Sequence, residues 1–318
     1  MTTEKIQEIK TSLHPRNKNR EQYDLSALIS VNPELEKYII PNKFGVNSVN
    51  FANPLAVKIL NKAILNHYYG IKNWDFPKEN LCPAIPGRAD YIHYIADLLS
   101  KNNSGVIPTG NRIKCFDIGI GASCIYPIIG VTEYDWSFIG SETDSKSVKS
   151  ANAIIQYNPS LKNKIVCKLQ KNPNDIFFGI IDREAKIDLS ICNPPFHSST
   201  EEAQKGTRRK VKNLSGMDTI KPTRNFSGIS SELTYDGGEY KFIMNMIRES
   251  KLYSKNCFWF STLVSKQSNL KVINITLEKI GATQIETIPM GTGNKTTRIV
   301  AWTFLSKEEQ KEWAKARW

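Results

Sequence analysis

Asn193-Pro194-Pro195-Phe196 closes the apolar run Ile187-Asp188-Leu189-Ser190-Ile191-Cys192, and these four residue types in this order suit a planar amine. Pro194 and Pro195 have no backbone N–H, which stops ladder pairing and stiffens the turn. The Asn193 side-chain oxygen and the Pro194 carbonyl are two acceptors for the two hydrogens of one NH2 group. Phe196 offers a face on which the ring bearing that amine can stack. The chemistry that follows is methyl transfer to a nitrogen.

An earlier apolar run ends in Phe116-Asp117-Ile118-Gly119-Ile120-Gly121-Ala122-Ser123. Small residues at a strand end let the backbone come close to a ligand. A dinucleotide fingerprint needs a third glycine where this chain has Cys124. An Asp ahead of the glycines is more typical of an S-adenosylmethionine site. Taken alone, Gly-x-Gly is as much the mark of a tight turn. The next run ends in Ile139-Gly140-Ser141-Glu142-Thr143-Asp144. An acid at the end of the second strand, about 20 residues on, is where ribose hydroxyls are held. Glu142 is nearer the strand and takes that role; Asp144 is read as the cap of a helix starting near Ser145. Gly-x-Gly, a second-strand acid and a fourth-strand Asn-Pro-Pro-Phe occur in the order a methyltransferase needs.

The elements that must position these groups are legible from hydropathy. Strand-like runs fall at 113–118, 136–141, 164–169, 187–192, 256–264, 282–288 and 297–305. Helical patterns lie between the first five, notably Ser145 to Tyr157 and Glu239 to Leu252. Alternating strands and helices predict a mostly parallel sheet covered on both faces. The last two runs are joined only by Met290 to Lys295, too short for a parallel crossover, so the sheet should end in an antiparallel hairpin. The fold class expected is α/β: a Rossmann-like, seven-stranded, mostly parallel sheet with an antiparallel last strand.

Ahead of the sheet the pattern is helical. Asp24 to Ile40 has helical apolar spacing with a restart at Asn32-Pro33, and a longer helix is expected from Asn53 or Pro54 to Tyr69. Pro83, Pro86 and Gly87 read as a break before a helix over Arg88 to Leu99. The organisation expected is therefore an N-terminal basic arm and helical module (1–85), a methyltransferase domain (86–305) and a tail (306–318). Residues 1–20 look like an arm rather than a packed element. Residues 197–238 form a long basic loop beside the Pro-Pro turn, with Lys205, Arg208, Arg209, Lys210, Lys212, Lys221 and Arg224. A loop of this length in a compact domain is usually functional or disordered.

The 318 residues carry 43 Lys+Arg against 31 Asp+Glu, a formal net charge of +12, which favours a polyanionic partner such as nucleic acid. Arg16, Lys18 and Arg20 on the arm, and Arg208, Arg209, Lys210 and Lys212 on the loop, are the expected phosphate contacts. No apolar run approaches the ~20 residues of a membrane span. Met1 to Lys10 alternates charge and lacks the apolar core of a secretory signal. The six cysteines (Cys82, Cys115, Cys124, Cys167, Cys192, Cys257) include no Cys-x-x-Cys pair and read as reduced core residues of a cytosolic protein, not a zinc site. His14 and His93 lack a ligand partner at suitable spacing, so no metal is expected.

These residues resemble the class I S-adenosylmethionine-dependent amino-methyltransferases. More narrowly the chain is similar to the RlmF family of 23S rRNA adenine-N6 methyltransferases and to the eukaryotic enzymes that methylate U6 snRNA. The likeness rests on His14-Pro15-Arg16-Asn17, Val49-Asn50-Phe51 with Pro54 and Ala56-Val57, Ile85-Pro86-Gly87-Arg88-Ala89-Asp90-Tyr91-Ile92-His93, Asp117 to Pro127, Asn193 to Phe196, and Arg298 to Phe304. It covers roughly residues 13–305, and the basic loop aligns least well. The resemblance implies S-adenosyl-L-methionine as cofactor and S-adenosyl-L-homocysteine as product. It implies a 23S rRNA or large-subunit assembly-intermediate substrate, with adenine 1618 as the target. It also implies that Arg88 helps to hold the cofactor's carboxylate, that Gly119 and Ser123 line its methionine and ribose region, and that Glu142 binds the ribose.

Two other functions fit part of the pattern. A protein glutamine N5-methyltransferase also presents a planar NH2 to a Pro-Pro turn, although that turn normally ends in Tyr and has no need of a basic arm. A catalytically silent RNA-binding protein on the same scaffold would account for the charge, but intact Gly119, Gly121, Glu142 and Asn193 speak against it.

Overall fold

The computed structural model describes residues 12–42, 44–199, 202, 230–292 and 295–318. The chain opens with α1 (Leu25–Val31) and a 3-10 turn (Pro33–Tyr38). The helical spacing expected through Ile40 ends at Tyr38. Ile39 and Ile40 instead pair with Val49 and Ser48 in a small antiparallel hairpin, β1 (Ile39–Pro41) and β2 (Asn47–Val49). α2 (Pro54–Tyr69) has the bounds its signals set: the Asn53 side chain accepts from the N–H groups of Leu55 and Ala56, and Gly70 ends the helix at φ 68°. α3 runs over Ile85–Lys101, three residues longer at its start than expected. Pro86 lies in the first turn, where its missing N–H forfeits no hydrogen bond, so Pro86 and Gly87 open the helix instead of breaking the chain.

The main sheet follows: β3 (Lys114–Ile118), α4 (Ile125–Tyr134), β4 (Ser137–Glu142), α5 (Ser145–Tyr157), β5 (Ile165–Leu169) and β6 (Ile187–Cys192). After the long loop come α6 (Ser230–Leu233), α7 (Gly238–Ser250), β7 (Cys257–Val264), α8 (Gln267–Lys279), β8 (Gln284–Thr292), β9 (Lys295–Thr303) and α9 (Lys307–Arg317). The strand order is β5-β4-β3-β6-β7-β9-β8, with β9 antiparallel to both neighbours. This is the expected seven-stranded sheet with a reversed last strand. The chain steps outward from β3 to β5, then returns to place β6 on the other side of β3. Ligands bind such sheets outside the carboxyl ends of the strands at that reversal.

Each face of the sheet has its own apolar core. Ile299 and Ala301 of β9 pack toward one face, Val300 and Trp302 toward the other, by strand alternation. Leu28, Leu35, Ile59, Tyr91, Leu189 and Ile299 belong to one cluster, so the N-terminal helices and the first face share a continuous core.

Residues 12–20 are packed, not a free arm. Leu13, His14, Asn17 and Asn19 are buried. Two carboxylates of α3 hold them. Asp90 accepts from the His14 backbone N–H (3.0 Å), and Asp97 pairs with His14 Nε2 (2.9 Å) and Arg16 (2.7 Å). Burial, with the neighbouring His14, Arg16 and Lys18 pushing the same way, drives the His93 imidazole down to about 3. At the other terminus, residues 306–318 form a helix with a full capping box between Ser306 and Glu309.

Candidate active site

The carboxyl ends of β3, β4 and β6 surround a cavity of about 220 Å³. Arg88, Gly119, Gly121, Ser123, Glu142, Asn193 and Pro195 all line it. Residues from four separate stretches of sequence thus meet in one place.

The glycine loop forms its floor. Gly119 and Gly121 have φ of 75° and 66°, and a Cβ added to either would meet no protein atom within 4 Å. A side chain there would be strained and would stand in the space the loop leaves open. Cys124, at the third position of the loop, also adopts a positive φ, 53°. The Trp74 indole N–H donates to the Ser123 carbonyl (2.8 Å) and ties the loop to the N-terminal region.

Glu142 is fixed by backbone donors. Its Oε2 accepts from Gly121 N–H (3.1 Å), and its Oε1 from the N–H groups of Thr143 (2.7 Å) and Asp144 (3.1 Å). Burial raises its pKa against those three bonds. Asp144 caps α5 as expected, accepting from Ser147 N–H at 2.7 Å. Asp117 is 0 % exposed, and neither carboxylate oxygen has a hydrogen-bond partner among the described residues. Burial, with Glu142 adding to it and Arg88 opposing, holds its pKa well above the carboxylate range. Arg88 makes no ion pair among the described residues, and its guanidinium lies over the Tyr126 ring at 5.5 Å from the centroid. An acid without a hydrogen-bond partner and a cation without an ion pair, both among the described residues, and a fixed carboxylate have the chemistry to hold the amine, carboxylate and ribose of S-adenosylmethionine in turn.

Asn193 stands at the cavity wall with its Oδ1 buried and unpartnered. Pro194 is buried behind it, outside the lining. Phe196 is half-buried, lies outside the cavity lining and joins neither apolar cluster. The side chain is thus available to a ring brought in from outside.

Sequence reasoning did not point to the remaining wall. Gln170, Asp175 and Ile176 close one side. Their loop is held by Glu249, which accepts from the N–H groups of Ile176, Phe177 and Phe178 at 2.8, 2.8 and 2.6 Å. Glu232, Thr234, Tyr235 and Phe242 close the other. Glu232 accepts from Asn80 Nδ2 (2.9 Å) and Leu81 N–H (3.0 Å) across the cavity mouth. A bridge between His197 and Thr234 pins the two ends of the long loop together. The sequence put the 197–238 stretch beside the turn but did not single out Glu232, Thr234 or Tyr235, and no local pattern marks Gln170, Asp175 or Ile176, whose loop is set by the distant Glu249.

The expected RNA contacts are placed unevenly. Arg16 donates to Tyr134 Oη (3.0 Å), to the His93 carbonyl (3.0 Å) and to Asp97, and Lys18 pairs with Glu133 at 2.7 Å. Both keep about two-fifths of their side-chain surface exposed (38 % and 40 %). Arg20 lies near Asp90, with its Nε buried. Arg208, Arg209, Lys210 and Lys212 lie outside the described residues. No helix among the described residues is long and apolar enough to cross a membrane.

Comparison with known proteins gives one consistent answer. Residues 7–306 match a family described as RNA methyltransferase. The chain is 52 % identical over 309 residues to ribosomal RNA large subunit methyltransferase F of Cytophaga hutchinsonii, covering 97 % of this chain and 96 % of that one. It is 50 % identical to the protein of the same name from Photobacterium profundum, again over 97 % and 96 %. Among solved structures it resembles the human METTL16 catalytic domain in complex with the MAT2A 3′UTR hairpin 1. The TM-score is 0.77, with 28 % identity over 92 % of this chain and 96 % of that one. The N-terminal domain of human METTL16 in complex with SAH gives a TM-score of 0.71, with 26 % identity over 92 % and 99 %.

Proposed function

Since the chain belongs to the RNA methyltransferase family, we propose that it methylates the exocyclic N6 of one adenine in 23S rRNA, using S-adenosylmethionine, in the cytoplasm where the large subunit assembles. The observation that carries this reading is the buried, unpartnered Asn193 Oδ1 at the wall of the cavity. An acceptor left unsatisfied there is completed by a substrate N–H. The relatives named as large-subunit rRNA methyltransferases support rRNA as the substrate class, and the METTL16 domain bound to an RNA hairpin supports RNA more generally.

The cofactor, when bound, supplies an electrophilic methyl on a sulfonium sulfur. In this reading Asp117 would accept from its amine, Arg88 would pair with its carboxylate, and Glu142 would accept from its ribose hydroxyls. The adenine amine is a weak nucleophile because its lone pair is delocalised into the ring. Asn193 Oδ1 and the Pro194 carbonyl accept its two hydrogens, which concentrates the lone pair on nitrogen and aims it. Positioning and electrostatics supply most of the acceleration. The nitrogen becomes acidic once methylated, so its proton leaves to solvent without a dedicated base. The target must leave its stack to enter, and Phe196 stacking on it repays on the order of 1–3 kcal/mol. Arg16, Lys18, Arg20 and the basic loop are assigned to the RNA backbone.

The test is transfer of labelled methyl from S-adenosylmethionine to 23S rRNA lacking the modification, with Asn193→Ala in parallel. The expected product is N6-methyladenine at one position, absent with the variant. Transfer only to a precursor particle would move the substrate to an assembly intermediate. Transfer to a protein glutamine, with every RNA unlabelled, would overturn the reading.

A further inference from the structure

β6 leaves the sheet at the residue that matters most. Its ladder to β7 ends at Ser190↔Phe260, whereas its ladder to β3 runs on to Cys192. The next residue is Asn193, and Pro194 and Pro195 after it have no N–H to anchor. The pose of Asn193 is therefore inherited from Cys192, whose β7 side has lost its strand partner.

A side chain 101 residues away in sequence fills that gap. The Cys192 N–H donates to the Tyr91 hydroxyl at 3.3 Å. That hydroxyl lies 3.0 Å from Ser261 Oγ, which gives its only hydrogen to the Ser190 carbonyl at 2.7 Å. The single Tyr91 hydroxyl hydrogen then has two acceptors within reach, Ser261 Oγ at 3.0 Å and the Cys192 carbonyl at 3.4 Å, and the shorter bond to Ser261 takes it. The result is a closed relay from Cys192 to Ser190 through two hydroxyls, both fully buried. Tyr91 also sits three residues after Arg88, on the same face of α3. Its ring meets Tyr126 edge-on at 5.4 Å, and Arg88 lies over that same Tyr126 ring. One helix therefore carries the cation assigned to the cofactor and the hydroxyl at the substrate turn.

We propose that Tyr91 is a positioning residue for methyl transfer: its hydroxyl, relayed through Ser261, replaces the missing strand pairing and fixes the angle at which Asn193 presents its acceptor. This rests on the assignment of Asn193 to the substrate amine. Tyr91 touches neither substrate nor cofactor in this role, so its loss acts on the chemical step.

The test compares Tyr91→Phe, Ser261→Ala, their double variant, Asn193→Ala and Ile247→Val, the last a fully buried residue of the opposite core. Tyr91→Phe should lower kcat about tenfold, with KM for RNA and Kd for S-adenosylhomocysteine within about twofold of the parent. Ser261→Ala should lower kcat in the same way, and the double variant should be no worse than Tyr91→Phe, because a relay broken once is broken. Ile247→Val should lose melting temperature without losing kcat. Wild-type kcat in Tyr91→Phe, alongside a dead Asn193→Ala, overturns the inference and leaves the function standing. Full activity in Asn193→Ala overturns both. If Tyr91→Phe does not fold, Ser261→Ala decides alone: an unchanged kcat sinks the proposal, and a loss confined to kcat sustains it.

Discussion

Asp117 and Asp188 occupy opposite ends of neighbouring strands in the same sheet, and each is 0 % exposed. Their surroundings differ completely. Asp188, at the amino end of β6, accepts from Lys114 N–H (2.8 Å), Trp313 Nε1 (2.7 Å), Trp318 Nε1 (2.8 Å) and twice from Arg317 (2.9 and 2.7 Å). Asp117, at the carboxyl end of β3, accepts from no group among the described residues. A buried carboxylate with all its lone pairs used holds a structure together; one to which the protein donates nothing can accept from a ligand. The amino end of the sheet is a clasp that locks α9 onto the core. The carboxyl end keeps the Asp117 carboxylate and Asn193 Oδ1 without partners among the described residues, open to what binds there.

This contrast predicts opposite phenotypes. The largest effect belongs to Asp188→Ala. It leaves Arg317 without its counter-ion and two indole N–H groups unpaired, and should destabilise the fold by about 3–5 kcal/mol in urea unfolding. The surviving folded protein should bind S-adenosylhomocysteine normally; a weakened Kd would mean that the two ends are not separate. Glu142→Gln should do the reverse, raising the S-adenosylhomocysteine Kd by roughly 10- to 100-fold, equivalent to about 1.4–2.8 kcal/mol, with an apo loss smaller than that of Asp188→Ala, since the amide keeps one acceptor for its backbone donors and turns an NH2 toward the other. Calorimetry and thermal shift together read both halves, since a bound ligand adds RT ln(1+[L]/Kd) to stability.

Asp117→Asn is the sharper comparison because it changes one atom. Removing an unpaired buried acid should leave the apo protein as stable or up to about 2 kcal/mol more stable, yet shrink the thermal shift that ligand produces. An apo protein clearly weakened by this change would mean that Asp117 has a structural partner and that the contrast with Asp188 fails.

The smallest effect is a pH dependence. Burial raises the carboxyl of Glu142, so the folded state holds its proton to higher pH than the unfolded chain does. The stability linked to this group is fully present below the unfolded value and is lost as pH rises through the folded one. Ligand affinity runs the other way, because the ionised carboxylate is the better acceptor for ribose hydroxyls. S-adenosylhomocysteine binding should therefore weaken from neutral to mildly acid pH, and Glu142→Gln should flatten that component. A profile identical in parent and variant would take Glu142 out of the ribose site.

The places of the seven sheet strands, the sheet class, the reversed last strand and the order of the chemical motifs were legible in the chain itself, although the final hairpin reaches further, β8 to Thr292 and β9 from Lys295. They depend on short-range periodicity and on residues such as Pro194 and Pro195 that act on their own backbone. Local reasoning failed where a residue's role depends on a distant partner. Pro86 looked like a breaker because its place in the first turn of α3 is a matter of where the helix starts. Residues 12–20 looked like a solvated arm because nothing nearby in sequence shows that Asp90 and Asp97 receive them. The clasp at Asp188 draws on Trp313, Arg317 and Trp318, more than 120 residues away, with separations of 125, 129 and 130. The sequence thus determined which groups could do the chemistry and the kind of sheet that carries them. Only the tertiary structure decided which buried polar groups are satisfied and which are left for ligands, because that depends on hydrogen bonds between elements that packing alone brings together.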